Sequence, residues 1–306
     1  MTSEREFIRQ LAKRFPERPP VQIGIGDDGA VIDCSNATQQ IIVTDMLLDG
    51  VHFDLKHTSP GLAGRKSVAV NLSDLAAMAC RPTSAFLSLA VPRSLTSPDE
   101  FLNSLYEGIA ALANRYGFCV AGGDTNSWDG PFAINVCLTG VPMAANPVLR
   151  SGAKPGDVLI VTGPLGGSLT TDRHLTFEPR LAMAEWLVNN VAIHSMIDVS
   201  DGLSIDLSRM MEASGTGAIL RTNRIPIHPD VSADLPFDDR LRRAFSDGED
   251  FELLLAVSPA DLSLIESAPA DVGCHVIGNV TQEPGLHVIT ETGDRSPLQV
   301  TGWQHL

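Results

Sequence analysis

Long apolar runs are missing from this chain; none approaches the roughly 20 residues that a helix needs to cross a bilayer. The opening stretch, Thr2-Ser-Glu-Arg-Glu-Phe-Ile-Arg-Gln-Leu-Ala-Lys-Arg-Phe, is charged and amphipathic and carries no apolar signal core. A cytoplasmic protein is therefore expected. Basic clusters are missing as well. With 22 Lys and Arg against 37 Asp and Glu the net charge is −15, which excludes general nucleic-acid binding, since phosphate neutralisation needs clustered cations. The five cysteines, Cys34, Cys80, Cys119, Cys137 and Cys274, are odd in number and never form Cys-x-x-Cys. They read as small buried hydrophobes in a reducing compartment, not as a disulfide framework. No Cys/His group has zinc spacing. The Walker pattern Gly-x-x-x-x-Gly-Lys-Ser/Thr and the protein-kinase motif set are absent, and no Ser/His/Asp or Cys/His arrangement suggests a covalent nucleophile.

What is present is a globular composition, 43% hydrophobic and 19% charged over 306 residues, long enough for two domains. Strand-like and helical segments alternate in both halves. That predicts α/β or α+β layers and excludes an all-helical fold. A first helix is expected over 7–15, stopped by Pro16, Pro19 and Pro20. Helices are further predicted over 61–70, 75–80, 98–116, 181–190 and 203–214. The best boundary is Val141-Pro142-Met-Ala-Ala-Asn146-Pro147, two prolines among small residues. It divides the chain into domains 1–145 and 146–306.

The distinctive feature is a repeated grammar in which an apolar strand runs into an acidic Gly- or Ser-rich turn. It appears at Gly24-Ile-Gly26-Asp27-Asp28-Gly29, Thr44-Asp45 followed by Asp49-Gly50-Val-His52, Asn71-Leu-Ser73-Asp74, Gly122-Gly123-Asp124-Thr125 and Asp198-Val-Ser200-Asp201-Gly202. Five such turns suggest strand ends converging on one polyacidic, metal-filled site. The candidate ligands Asp28, Thr44, Asp45, Asp74, Asp124, Asp198 and Asp201 are all oxygen donors, which means Mg²⁺, Mn²⁺ or Ca²⁺. Acids scattered over separate strand ends suit Mg²⁺ ions that keep waters and bridge phosphates. So many carboxylates repel one another by several kcal/mol per close pair in a low-dielectric site, so several cations are implied. That is the chemistry of phosphoryl transfer, in which the protein positions and neutralises. Ser73 or Asp74 reads as the N-cap of a following helix, where an anion and the helix dipole meet. The loop Gly163-Pro-Leu-Gly166-Gly167-Ser168 either cradles phosphate or only turns the chain. Arg150 and Lys154 are scarce cations near the boundary, within possible reach of phosphate or simply solvated. Of the eight histidines, only His52 sits in a candidate loop.

Taken in order, these motifs, together with Arg150-Ser-Gly-Ala-Lys-Pro-Gly-Asp157 and Gly248-Glu-Asp-Phe-Glu-Leu253, resemble the thiamine-monophosphate kinase family over nearly the whole chain. The resemblance implies ATP-dependent phosphorylation of thiamine monophosphate to thiamine diphosphate, in line and without a phosphoenzyme. It matches Asp28, Thr44, Asp45, Asp74, Asp124, Asp198 and Asp201 to Mg²⁺ ligands. Tyr106, Gly123, Arg150 and Ser200 match ATP contacts; His52, Glu249 and Trp303 match the thiamine pocket, Trp303 stacking on a ring. The implied fold is two α/β domains, the N-terminal ones pairing in a homodimer around a shared β-barrel, with no nucleic acid or membrane as partner. Two stretches depart from the family pattern. Val43 stands where many relatives carry a hydroxyl, and His174-Leu-Thr-Phe-Glu-Pro-Arg180 matches Arg-His-Leu-x-Pro-x-Pro-Arg only in part. Another ATP-using enzyme of the same superfamily, or a non-enzymatic acidic metal-binding module, are the competing readings; nucleotide binding would rule out the last.

Overall fold

The computed structural model describes residues 21–23, 30–33, 39–266 and 273–304. The expected helix over 7–15, the turn carrying Asp28, and Cys34 lie outside the described residues. The described residues form two sheets. The first contains β1 (Val21–Ile23), β2 (Ala30–Asp33), β3 (Gln39–Leu48), β4 (Cys80–Pro92), β5 (Cys119–Trp128) and β6 (Ala133–Pro142), in the order β1-β2-β3-β6-β4-β5. All its pairings are antiparallel except β4 with β5. The second contains β7 (Val158–Val161), β8 (Ile193–Asp198), β9 (Gly217–Arg221), β10 (Leu253–Val257), β11 (His275–Thr281), β12 (Gly285–Ile289) and β13 (Arg295–Pro297), in the order β13-β12-β9-β11-β7-β10-β8. Residues 143–157, between the sheets, hold no helix or strand.

Helix α1 (Pro60–Ala77) is the central element. Ser59 caps it by accepting from the Leu62 N–H, with Pro60 in the first turn. The helix is buried on nearly every side, its few polar residues included, because both sheets cover it. Val68, Leu72 and Leu75 join Val43, Leu47, Val136 and Leu87 of the first sheet and Ile160, Met196 and Leu255 of the second in one continuous core. Each such side chain contributes about 1.5–3 kcal/mol by leaving water. Period-two alternation divides the second sheet between two cores. Val158, Ile160, Leu253 and Leu255 face α1, while Leu159, Val161, Leu254 and Ala256 face α4 (Leu203–Ser214) and α5 (Phe237–Ser246). Helix α2 (Pro98–Tyr116) ends at Gly117 with φ of 73°, a left-handed cap that favours glycine. It crosses α1 so closely that a Cβ on Gly64 would lie 2.2 Å from the Leu105 carbonyl oxygen, and one on Gly108 only 1.9 Å from that of Gly61. Helices α3 (Leu181–Asn190) and α6 (Leu262–Glu266) complete the described set.

The predicted helices over 98–116, 181–190 and 203–214 agree with α2, α3 and α4. The two helices expected over 61–70 and 75–80 are instead the single α1. The polar residues read as a break have partners for their donors: Asn71 Nδ2 donates to the Ser67 carbonyl, though its Oδ1 is left buried without a partner among the described residues, and Ser73 Oγ donates to Asp198 at 2.6 Å. Asp74 therefore lies in the last turn, its carbonyl accepting from the Met78 N–H, and caps no following helix. Helix α5 is an element the sequence reading missed.

Candidate active site

Two acidic motifs placed at strand ends lie within strands. β3 runs on to Leu48, so Thr44 and Asp45 are mid-strand, and successive residues there point to opposite faces. Asp45 shares the face of Val43 and Leu47, towards α1. Thr44 is exposed on the other face, its hydroxyl donating to Asn135 Oδ1 at 3.3 Å. Likewise Gly122-Gly123-Asp124-Thr125 is not a turn but the middle of β5, held there by register with β4. Gly123 allows that pairing, since a Cβ would lie 1.9 Å from the Leu87 carbonyl oxygen. Asp124 is opposite the exposed Ser88 and accepts from Asn126 Nδ2 at 2.7 Å. Asp45 is in register with Val136, Val136 with Leu87, and Leu87 with Gly123. Three inter-strand steps separate β3 from β5, about 14 Å along the sheet. Asp45 and Asp124 thus face different sides at a distance that no single ion bridges.

Around Asp45 a cavity of about 320 Å³ opens, lined from both halves of the chain. It is lined by His52, Ser200, Asp201, Glu249 and Trp303, all expected site residues, and also by Lys66, Val70, Leu169, Asp247 and Phe251. The local structure explains the convergence. His52 follows the turn closing β3, where the Leu48 N–H donates to its Nδ1 at 3.0 Å; this sets the neutral ring's proton on Nε2. Ser200 and Asp201 form the loop from β8 into α4. The turn 247–251 is bound to that loop, with the Glu249 N–H donating to the Ser200 carbonyl at 2.6 Å and the Phe251 N–H to that of Val199 at 2.8 Å. Glu249 and Phe251 have φ of 57° and 53°, conformations that side chains rarely adopt and that cost about 1–3 kcal/mol each. The Phe251 ring is buried and stacked on Phe177 at 4.0 Å, packing that holds the strained turn. Trp303 arrives on the C-terminal segment, its N–H donating to the Asp201 carbonyl at 3.0 Å.

The acids around the cavity are each engaged. Asp198 is buried and accepts from Ser73. Asp201 pairs with Arg209 Nη1 at 2.5 Å, and the same nitrogen meets Asp206 at 2.7 Å. Asp206 also accepts from the N–H groups of Asp201 and Gly202. Burial and the Asp201 carboxylate push Asp206 up to about 7 against the pull of Arg209. Arg150 acts electrostatically on Asp206 and Arg209, and its carbonyl accepts from Ser195 and Ser214. Tyr106, on α2, is exposed and does not line the cavity, nor does Gly123. Among the described residues no three Asp, Glu, His or Cys side chains gather closely enough to hold one metal ion. Strand alternation puts Thr44 and Asp124 on the face opposite Asp45.

Two stretches for which the sequence left alternatives can also be placed. The amides of the 163–168 loop do not cradle an anion from solvent: Gly166 N–H donates to Asp250 and Gly167 N–H to Asp247. Lys154 lies in the boundary turn, 3.2 Å from His194 Nε2.

Family models agree with this two-part architecture. The one described as AIR synthase related protein, N-terminal domain, matches residues 26–142, and its C-terminal counterpart matches residues 154–291. A thiamine-monophosphate kinase of Rhodopirellula baltica is 41% identical over 292 residues, which cover 92% of this chain and 91% of that protein. The chain belongs to the thiamine-monophosphate kinase family. A second family member, from Bacillus subtilis, is 32% identical over 99% of both chains. Among solved structures, AaThiL complexed with AMPPCP and TMP has a TM-score of 0.83 at 25% identity, covering 99% of this chain and 97% of that one.

In this member of the thiamine-monophosphate kinase family the partly matching stretch 173–180 has defined partners. Arg173 pairs with Asp230 and Asp250, His174 reaches the cavity cluster, and Arg180 pairs with the buried Glu252. Sequence reasoning missed Lys66, which lines the cavity from α1 and is fully buried. In the sequence it stands beside Arg65 in the otherwise uncharged stretch 61–70, and nothing there sets it apart. No helix of the described residues is long and apolar enough to cross a membrane.

Proposed function

We propose that this cavity is where ATP phosphorylates thiamine monophosphate to thiamine diphosphate. An oxygen of the substrate phosphate attacks the γ-phosphorus in line, the bond to the β–γ bridging oxygen breaks, and ADP leaves with no phosphoenzyme. The observation that carries the reading is the convergence of His52, Glu249 and Trp303 on the cavity that Asp45, Ser200 and Asp201 also line. The first three are the thiamine-pocket residues and the others face the phosphate-transfer end. Family membership and the ATP-analogue complex of AaThiL support ATP as the co-substrate.

The donor set fits Mg²⁺: it is all oxygen, and Asp45 and Asp201 face one cavity from different domains. Asp28, Thr44, Asp45, Asp74, Asp124, Asp198 and Asp201 would hold the ions, and their division between sheet faces favours several ions over one. Bound there, Mg²⁺ would neutralise phosphate oxygens and help orient the triphosphate. Gly123, Arg150, Ser200 and Tyr106 would contact ATP.

The chain divides at 145/146, and its N-terminal half pairs with a second copy around a shared barrel. All ten residues of β5 are exposed, and Phe86, Val120 and Trp128 present apolar surface along that edge. An unprotected edge of this kind is a template for pairing. The chemistry is that of a cytoplasmic biosynthetic enzyme.

Replacing His52, Glu249 and Trp303 in turn tests the site. Each change should raise KM for thiamine monophosphate and leave KM for ATP within about twofold, as expected for groups that touch one substrate only. Parallel rises in both constants, or in neither, would remove the cavity from thiamine binding.

A further inference from the structure

Lys66 lies in the middle of α1 and is 0% exposed. Lysine is almost never fully buried unless its charge is met, and here all three ammonium donors find acceptors. Nζ donates to the His52 carbonyl at 2.7 Å, to His174 Nδ1 at 2.8 Å and to Glu249 Oε2. The acceptors come from three segments: the turn after β3, the 173–175 turn and the 247–251 turn. Since His174 Nδ1 accepts, its ring proton is on Nε2, the nitrogen that faces Asp172 at 3.7 Å. The Glu249 side chain keeps 22% of its surface exposed, on the cavity it lines.

We infer that Lys66 is a positioning residue for substrate recognition, holding Glu249 ionised and aimed so that its carboxylate offers the cavity only a hydrogen-bond acceptor. The inference rests on the proposed thiamine-monophosphate reading and deepens it. An ionised carboxylate accepts and cannot donate. With Oε2 engaged by the ammonium, recognition falls to Oε1. The ion pair carries no net charge, so selection at this point comes from direction, not from attraction to any cation. The matching ligand group is an N–H donor, which thiamine monophosphate supplies through the amino group of its pyrimidine. A ring carrying an oxo group at that position would meet acceptor against acceptor. Three independent contacts converge on the same geometry: the Lys66 ammonium, the Ser200 carbonyl bound to the Glu249 N–H, and the Ser168 hydroxyl, which donates to the Glu249 carbonyl at 2.6 Å.

The test compares Lys66→Met, Glu249→Gln and the double variant with the wild-type chain, measuring kcat and both KM values. Lys66→Met should raise KM for thiamine monophosphate roughly tenfold to a hundredfold, the range for a lost charge-assisted hydrogen bond, with kcat and KM for ATP nearly unchanged. In the Glu249→Gln background the same replacement should add less than about twofold, because its target is already gone. If Lys66→Met fails to fold, the double variant, which buries neither charge, should fold and show the KM of Glu249→Gln alone. Multiplicative losses in the double variant, an equal rise in KM for ATP, or an unchanged KM would each overturn the inference. A wild-type chain that forms no thiamine diphosphate would instead overturn the reading beneath it, and the inference with it.

Discussion

Gly302 is where the C-terminal segment touches the active-site loop, and replacing it with alanine isolates what Trp303 does. A Cβ at this position would lie 2.3 Å from the Asp201 carbonyl oxygen and 2.8 Å from Ile205 Cδ1. The carbonyl belongs to the loop entering α4 and cannot retreat, so the segment must lift. Lifting breaks the Trp303 N–H bond to Asp201 at 3.0 Å and the reciprocal pair joining Thr301 to Ser204, at 3.0 and 2.5 Å. At about 1 kcal/mol net for each bond, roughly 3 kcal/mol of local docking energy is at stake. Overlap of this severity costs about 1–3 kcal/mol or more, so the docked state loses most of its advantage. The Trp303 ring then leaves the cavity, forfeiting about 1–1.5 kcal/mol of aromatic contact, or close to tenfold in affinity. Gly302→Ala should therefore raise KM for thiamine monophosphate about tenfold and reproduce Trp303→Ala. KM for ATP and the melting temperature should hardly change, because only a terminal segment opens. Steady-state kinetics with each substrate varied, alongside thermal unfolding, provides the measurement. Wild-type KM in Gly302→Ala would refute the reasoning, as would equal losses for both substrates.

Asp45→Asn removes a charge from the cavity without changing side-chain size, and turnover should fall at least a hundredfold with the fold intact by circular dichroism; near-normal turnover would clear Asp45 of any role in transfer. Gly108→Ala, whose Cβ would lie 1.9 Å from the Gly61 carbonyl oxygen, should cost about 2–3 kcal/mol in denaturant unfolding as α1 and α2 separate. Acid stability should carry the mark of Glu249. Burial raises this carboxyl, but the adjoining His174 ring and the Lys66 ammonium outweigh it and hold it below its ordinary 4.5. A depressed folded value means the stabilisation is complete above about pH 4.5 and is lost as pH falls through the folded value. Glu249→Gln should remove that part of the acid limb, and an unchanged slope of stability against pH below 4.5 would contradict the assignment.

Much of the architecture is legible locally. Pro98 and Gly117 bracket α2, and Gly215 stops α4, because proline and glycine act on the backbone where they stand. What was not legible depends on partners distant in sequence. Ser73 and Asp74 read as a cap because hydroxyls and carboxylates compete with helical hydrogen bonds; Ser73 stays mid-helix because Asp198, 125 residues on, accepts its proton. Gly122 to Thr125 read as a turn because two adjacent glycines usually make one, yet pairing with β4 holds them extended. The charged stretch that became α5 did carry a signal, with Phe237, Leu241, Ala244 and Phe245 at helical spacing. Lys66 reads as a surface charge until its acceptors, 14, 108 and 183 residues away, are placed around it.

The most direct measurement is product formation. The chain is incubated with ATP, Mg²⁺ and thiamine monophosphate, ADP release is followed by a coupled assay, and the product is identified by mass. Thiamine diphosphate should appear in step with ADP and cease on addition of EDTA. ADP release without thiamine diphosphate, or no turnover despite ATP binding, would contradict the assignment of this cavity to thiamine monophosphate.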